Sequence, residues 1–170
     1  MKISTIISGG QTGADRGGLE AARQIGLPYG GWVPKGRRAE DGKVPLTYTG
    51  LCETESPSYQ VRSEANVIDS HATLVLVCGL PVGSTMKTCA LALKHGRPCL
   101  AVNLAADRKT AVDQIVAWLA SLPLPEGVLN VAGSRESKVP GMQAVTRAVL
   151  SEVLSRVNGP PLQTGGNSDV

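Results

Sequence analysis

Three clusters along this 170-residue chain carry the groups that would hold an anion. Gly9, Gly10, Gln11, Thr12 and Gly13 follow the β-branched run Ile3 to Ile7, and Asp15 stands two residues further on. Glycines let backbone N–H groups approach a ligand closely, and a helix starting at Ala14 would add the partial positive charge of its N-terminus. Two adjacent glycines with Thr12 and Gly13 exceed what a plain tight turn requires. Gly83, Ser84 and Thr85 repeat the arrangement after another apolar run. The third cluster is Lys35, Arg37 and Arg38, whose cationic side chains suit a further phosphate or another oxyanion. The alternative there is a solvated loop whose charges Glu40 and Asp41 balance. Acids for proton transfer stand at Asp15, Glu40, Asp41 and Glu136, and no spacing in sequence brings two of them together across a substrate.

The elements that must position these clusters alternate in type. Ile3 to Ile7 predicts a strand and Ala14 to Ile25 a helix, with Leu19, Ala22 and Ile25 at helical spacing. Tyr29 to Val33 predicts a strand stopped by Pro34, then a polar loop from Lys35 to Gly42 and an irregular stretch with one short strand near Leu51. A helix from Tyr59 to Asp69 is expected to bury Tyr59, Val61 or Arg62, Ala65 and Ile68, with Ser58 as its cap. Thr73 to Cys78 is a continuous apolar run, the pattern of a strand buried on both faces. Helices over Met86–His95, 111–121 and 142–157 alternate with strands over Cys99–Asn103 and Val128–Val131. This alternation predicts one doubly wound α/β domain over residues 1–157, with a mostly parallel sheet and helices on both faces, followed by a flexible tail over 158–170. Ligands in such sheets sit at the carboxyl ends of the strands, where all three clusters would open.

Composition narrows the partners. The formal charge of +3, from 17 Lys and Arg against 14 Asp and Glu, falls short of a duplex-binding surface. Aromatic residues make up 3% with no Phe, too few for a platform that stacks single-stranded bases. The longest apolar runs are far below the ~20 residues that span a bilayer. The stretch after Met1 is too short for a signal peptide, so a cytoplasmic location is expected. Cys52, Cys78, Cys89 and Cys99 lack metal-ligand spacing and are expected as mostly buried, reduced thiols, with no structural metal. His95, before Gly96, is expected to serve a helix end. Neither G-x-x-x-x-G-K-[ST] nor G-x-G-x-x-G occurs, which excludes a P-loop NTPase and the sharp dinucleotide fingerprint.

Three stretches, Ser8 to Arg16, Gly30 to Gly42 and Leu129 to Glu136, resemble the family called putative molybdenum carriers, and the likeness runs from Ile3 to about Val157. The resemblance implies a Rossmann-like fold related to the lysine-decarboxylase-like phosphoribohydrolases, in a superfamily that binds nucleotides or nucleotide-like ligands. It names molybdenum cofactor, a phosphorylated pterin, or molybdate as the candidate cargo, with a nucleotide as the alternative. The phosphoribohydrolases place a catalytic glutamate just after their glycine loop; here Met86, Lys87 and Thr88 stand in that stretch. A binding or carrier protein for a phosphorylated small molecule is therefore favoured over a nucleotide or nucleoside-phosphate hydrolase or transferase. Further copies of the same chain, as a homo-oligomer, are a second expected partner.

Overall fold

The structure, a computed structural model, describes residues 1–105 and 107–159. Its elements are β1 (Lys2–Ile7), α1 (Ala14–Gln24), β2 (Tyr29–Val33), a 3-10 turn (Lys35–Arg37), β3 (Arg38–Ala39), β4 (Gly42–Lys43), β5 (Leu51–Glu53), α2 (Tyr59–Asp69), β6 (Ala72–Val77), α3 (Ser84–Lys94), β7 (Cys99–Asn103), α4 (Arg108–Ser121), β8 (Glu126–Gly133) and α5 (Met142–Asn158). The expected alternation is present, and α2 spans the predicted residues with the Ser58 hydroxyl accepting from the Gln60 amide. α4 begins three residues before the predicted Ala111, because Asp107 caps it by accepting from the Lys109 and Thr110 amides. Of the tail expected from residue 158, Asn158 ends α5 and the residues from 160 onward lie outside the described ones.

Six strands form one sheet in the order β5-β2-β1-β8-β6-β7, and every pairing in it is parallel. β3 and β4 form a separate antiparallel hairpin inside the polar loop. The last strand, β8, lies between β1 and β6. If the chain were joined end to end and opened before β8, the strands would count β8, β1, β2, β5, β6, β7, and their order in space would read 4-3-2-1-5-6. That is a doubly wound sheet with its order reversing between β8 and β6, where the carboxyl-end crevice of such folds opens.

β6 is buried at all six positions, as its apolar run predicts for a strand covered on both faces. Ile3, Ile6, Leu74, Leu76, Leu129 and Val131 meet α1, α4 and α5 in the main core. On α2 and α3 a smaller cluster joins Val67 to Leu91 and Ala92. A third packs Leu19 against Val33, Val44, Tyr48 and Leu51 beneath the polar loop. Burying one such Leu, Ile or Val side chain contributes about 1.5–3 kcal/mol, so these clusters hold the loops that leave the sheet.

Three expectations change. The inward residues of α2 are Arg62, Asn66 and Val67, while Val61 and Ile68 are 44% and 43% exposed. The helix turns its polar residues inward because they meet a polar chamber described below. Cys52 and Cys78 are exposed and Cys89 and Cys99 half-buried, since Cys52 sits on an edge strand and Cys78 just past the end of β6. Burial, with Cys89 beside it, pushes the Cys99 thiol up to about 12. His95 does end α3, but its ring meets Glu64 at 2.7 Å rather than the helix carbonyls.

Candidate functional site

The β1–α1 loop is locked into the fold by its own amides. Gly10 N–H donates to Ser8 Oγ, Gln11 N–H to Asp15 Oδ2, Thr12 N–H to Gln11 Oε1 and Ala14 N–H to the Ser134 carbonyl, all at 3.0–3.2 Å. Gly10 has φ +68°, and a Cβ there would meet Val44, Leu51 and Val33 at 3.0–3.1 Å. Gly13 has φ +81°, and a Cβ there would overlap the Ser134 carbonyl. Both glycines are required by close packing, and of the amides expected to cradle an anion those of Gly10, Gln11 and Thr12 are spent inside the protein. This loop instead fixes Gln11 and Asp15 and carries the β8–α5 loop on its surface.

The basic loop divides. Arg37 turns inward, donating from Nε, Nη1 and Nη2 to the carbonyls of Val44, Leu51, Pro45 and Tyr48, so it holds the loop's shape. Lys35 points to solvent, 4.0 Å from Glu55. Arg38 alone reaches the site, with its guanidinium 5.8 Å from the centre of the Tyr59 ring. The acids of this loop do not balance its arginines. Glu40 accepts from Thr12 Oγ1 and from the Ser137 amide and hydroxyl. Asp41 takes a bidentate pair of bonds from Arg16 at 2.6 and 2.9 Å. Burial opposes it, but the Ser137 and Thr12 bonds hold the Glu40 carboxyl below its usual range. The Arg16 bonds do the same for Asp41. Glu136 caps α5 by accepting from the Gly141 and Gln143 amides. Glu40, Asp41 and Glu136 thus clasp the loops together.

Where the strand order reverses, the β6–α3 and β8–α5 loops enclose a crevice of about 380 Å³. Gly83, Ser84 and Thr85 open α3 on one side, with no side chain capping that helix, while Ser134, Arg135 and Lys138 face them. Behind it lies a smaller chamber of about 50 Å³, sharing Ser84, Thr85 and Arg135 and closed by Gln11, Asp15, Arg62 and Thr88. Tyr59 also lines the chamber and has three guanidiniums around its ring, those of Arg38, Arg62 and Arg135, at 5.3–5.9 Å from its centre. Among the described residues Asp15 is the one carboxylate lining either space, and its Oδ2 lies 3.4 Å from Arg62 Nη1. Burial raises the pKa of Asp15 above its ordinary value, although Arg62, Arg135, Arg16 and the Gln11 amide oppose the shift. Of the three residues replacing the phosphoribohydrolase acid, only Thr88 lines the chamber.

The sequence clusters therefore contribute Gln11, Asp15, Arg38, Gly83, Ser84 and Thr85 to this site, and Gly9 lies directly against the Arg62 guanidinium. Thr12 and Gly13 support it, whereas Lys35 and Arg37 stand apart. Tyr59, Arg62, Ser134, Arg135 and Lys138 are functional candidates that linear reading missed. A signal existed for Arg62, a charged residue at helical spacing with the inward Asn66.

A parallel doubly wound sheet with a crevice at its order reversal makes the chain a Rossmann-like α/β fold. Residues 6–154 match the circularly permutated YpsA SLOG family, and the chain belongs to that family. The central position of β8 is the feature that a circular permutation produces. The chain is 43% identical to a putative molybdenum carrier protein from Syntrophus aciditrophicus SB, whose crystal structure aligns with a TM-score of 0.83 over 89% of this chain and 94% of that one. No curated protein matches the chain. No helix among the described residues is long and apolar enough to cross a membrane.

Proposed function

We propose that the chain binds a phosphorylated, nucleotide-like small molecule in the crevice between the β6–α3 and β8–α5 loops. The observation that carries this reading is the position of the crevice: the uncapped N-terminus of α3 opens into it at the strand-order reversal, opposite Arg135 and Lys138. The helix end supplies amides and a partial positive charge, and the two cations supply full ones. Among the described residues no three His, Cys, Asp or Glu side chains form a metal-binding group. The donors at the crevice are hydroxyl, guanidinium and ammonium groups, which suit a phosphate or another oxyanion. Molybdenum cofactor fits this donor set through its phosphate, with Ser84, Arg135 and Lys138 as the groups that would hold it. The name of the Syntrophus relative supports that candidate, and a nucleotide is the alternative. When bound, the cofactor supplies redox chemistry to a recipient enzyme, and this chain's part is to hold and shield it.

Calorimetric titration with nucleoside 5′-monophosphates and the matching nucleosides tests the class. The phosphorylated forms should bind and the nucleosides should bind at least tenfold more weakly; equal affinities reject the reading. Native mass spectrometry of the protein as purified identifies a retained pterin or nucleotide. One observation favours a second reading, hydrolysis of a nucleoside phosphate: Asp15 reaches the chamber from α1 on the side opposite Thr88. Turnover of a nucleotide panel, lost in Asp15→Asn, would favour it.

A further inference from the structure

Two residues that line the chamber behind the crevice each carry a buried donor with no acceptor among the described residues. Gln11 is 4% exposed and its Nε2 has no hydrogen-bond partner; Arg62 is 8% exposed and its Nε has none. The orientation of the Gln11 amide is fixed, because its Oε1 already accepts from the Thr12 amide at 3.1 Å and the Glu40 amide at 2.9 Å. Its NH2 end is what remains to face the chamber. An unpaired buried donor is destabilising, more so when charged, so two of them on residues lining one space call for a shared acceptor.

We propose that this chamber is a closed subsite for one tetrahedral oxyanion group, received by Gln11 Nε2 and Arg62 Nε. The volume of about 50 Å³ limits the occupant to a single small group rather than a sugar or a ring. Ser84 and Thr85 line the same space, the Thr85 hydroxyl being bonded to the Val82 backbone, and Arg135 stands where it meets the crevice, so a ligand lying in the crevice can place its phosphoryl group inside. The inference rests on the crevice reading for the ligand's body, but it assigns the anion to different residues. A free phosphate, sulfate or molybdate offers the same chemistry as a phosphoryl group.

Asp15 sets a condition on entry. Its carboxylate faces the occupant, with Arg16 on its own helix, Arg62 on α2 and Arg135 on the β8–α5 loop as the charged groups around it; α3 contributes only hydroxyls. A second negative charge in this confined space favours the protonated carboxyl, which repels the anion less and can donate to it. Anion binding is therefore coupled to proton uptake and weakens as pH rises.

Titration of the full chain with sulfate, whose charge is constant across the range, tests this at pH 5.5 and pH 8, with inorganic phosphate, molybdate and a nucleoside monophosphate as parallel arms. Sulfate should bind at least tenfold more weakly at pH 8, and Asp15→Asn should remove that dependence. Gln11→Glu keeps an oxygen for the Thr12 and Glu40 amides but replaces the donor with an acceptor; it should weaken every oxyanion at least tenfold. Arg62→Lys keeps the charge and loses Nε, with the same expected result should Gln11→Glu fail to fold. A crystal soaked in tungstate should show the heavy atom in the chamber. Nucleotide binding that survives both variants but is lost on removing Arg135 and Lys138 keeps the crevice reading and overturns the subsite. An absence of any oxyanion binding to the unaltered protein, or tungstate found only elsewhere, overturns it as well.

Discussion

Gly9→Ala tests the placement of Arg62 through the fold and the site together. The backbone at Gly9 lies outside the left-handed region, so alanine brings no intrinsic strain, unlike at Gly10 or Gly13. Its new Cβ would overlap the Arg62 guanidinium, with Nε 2.6 Å away, and this end of a long flexible side chain is what must give. Displacement removes the partner 3.4 Å from Asp15. Breaking a buried ion pair costs about 3–5 kcal/mol, and the length of this contact argues for the lower end. Protonating Asp15 relieves most of that loss, leaving the about 1–3 kcal/mol of an unpaired neutral group. The sign follows from the raised pKa of Asp15: an acid that binds its proton more tightly when folded favours folding at low pH, and that advantage fades as pH rises from the unfolded pKa near 4 through the folded one. Losing Arg62 raises the folded pKa further and extends this window upward. Urea unfolding should therefore show Gly9→Ala about 3 kcal/mol less stable at pH 7.5 and about 1–2 kcal/mol less stable at pH 5, with sulfate binding lost at both. Equal destabilisation at the two pH values, or unchanged sulfate affinity, would refute the placement of Arg62.

Arg37→Ala should cost about 2 kcal/mol by urea unfolding, through the loss of charge-assisted bonds to four carbonyls, and leave the nucleotide Kd unchanged in calorimetry. Asp41→Asn should cost about 1 kcal/mol at pH 7, a modest figure because the Asp41 side chain is 45% exposed. Since Arg16 holds the Asp41 carboxyl low, its contribution is complete above the ordinary carboxylate range and is lost as pH falls below it; unfolding midpoints of the two proteins should converge below about pH 3. Replacing Arg135 and Lys138 together by alanine should weaken a nucleoside monophosphate at least tenfold, or about 1.4 kcal/mol, with little change in the melting temperature of the free protein.

The strands and helices were legible because burial imposes the periods that sequence displays. β6 is apolar at successive positions since both its faces are covered, and Ser58 caps α2 where its hydroxyl can reach a free amide. The faces of the helices were less legible. Hydrophobic spacing offered Val61 or Arg62, with Ala65 and Ile68, as the inward face of α2, whereas that helix covers a polar chamber and its buried residues are Arg62, Asn66 and Val67. A rule that equates inward with apolar fails where a helix covers a polar, charged chamber, and a charged residue in phase with a buried Asn is the trace such a chamber leaves.

The main displacement of the site has a topological cause. The first glycine loop follows the first strand of the chain, which in an unpermuted doubly wound sheet is the strand whose loop meets the phosphate. Here that place in space belongs to β8, so the corresponding loop is Gly133 to Lys138, more than a hundred residues away in sequence. The Ser8 to Gly13 loop lies one strand over, and a neighbouring position requires different work of it. Gly13 lets the Ser134 carbonyl settle onto the start of α1, Thr12 and Glu40 tie down Ser137, and Gln11 passes beneath to reach the chamber. Glycine marks close approach at Gly13 and Gly133 alike, by the Ser134 and Leu76 carbonyls, so glycine alone does not tell a loop that faces a crevice from one that carries another loop. Strand order decides between them, and strand order depends on pairing between residues as distant as Ile6 and Leu129, which no local pattern encodes.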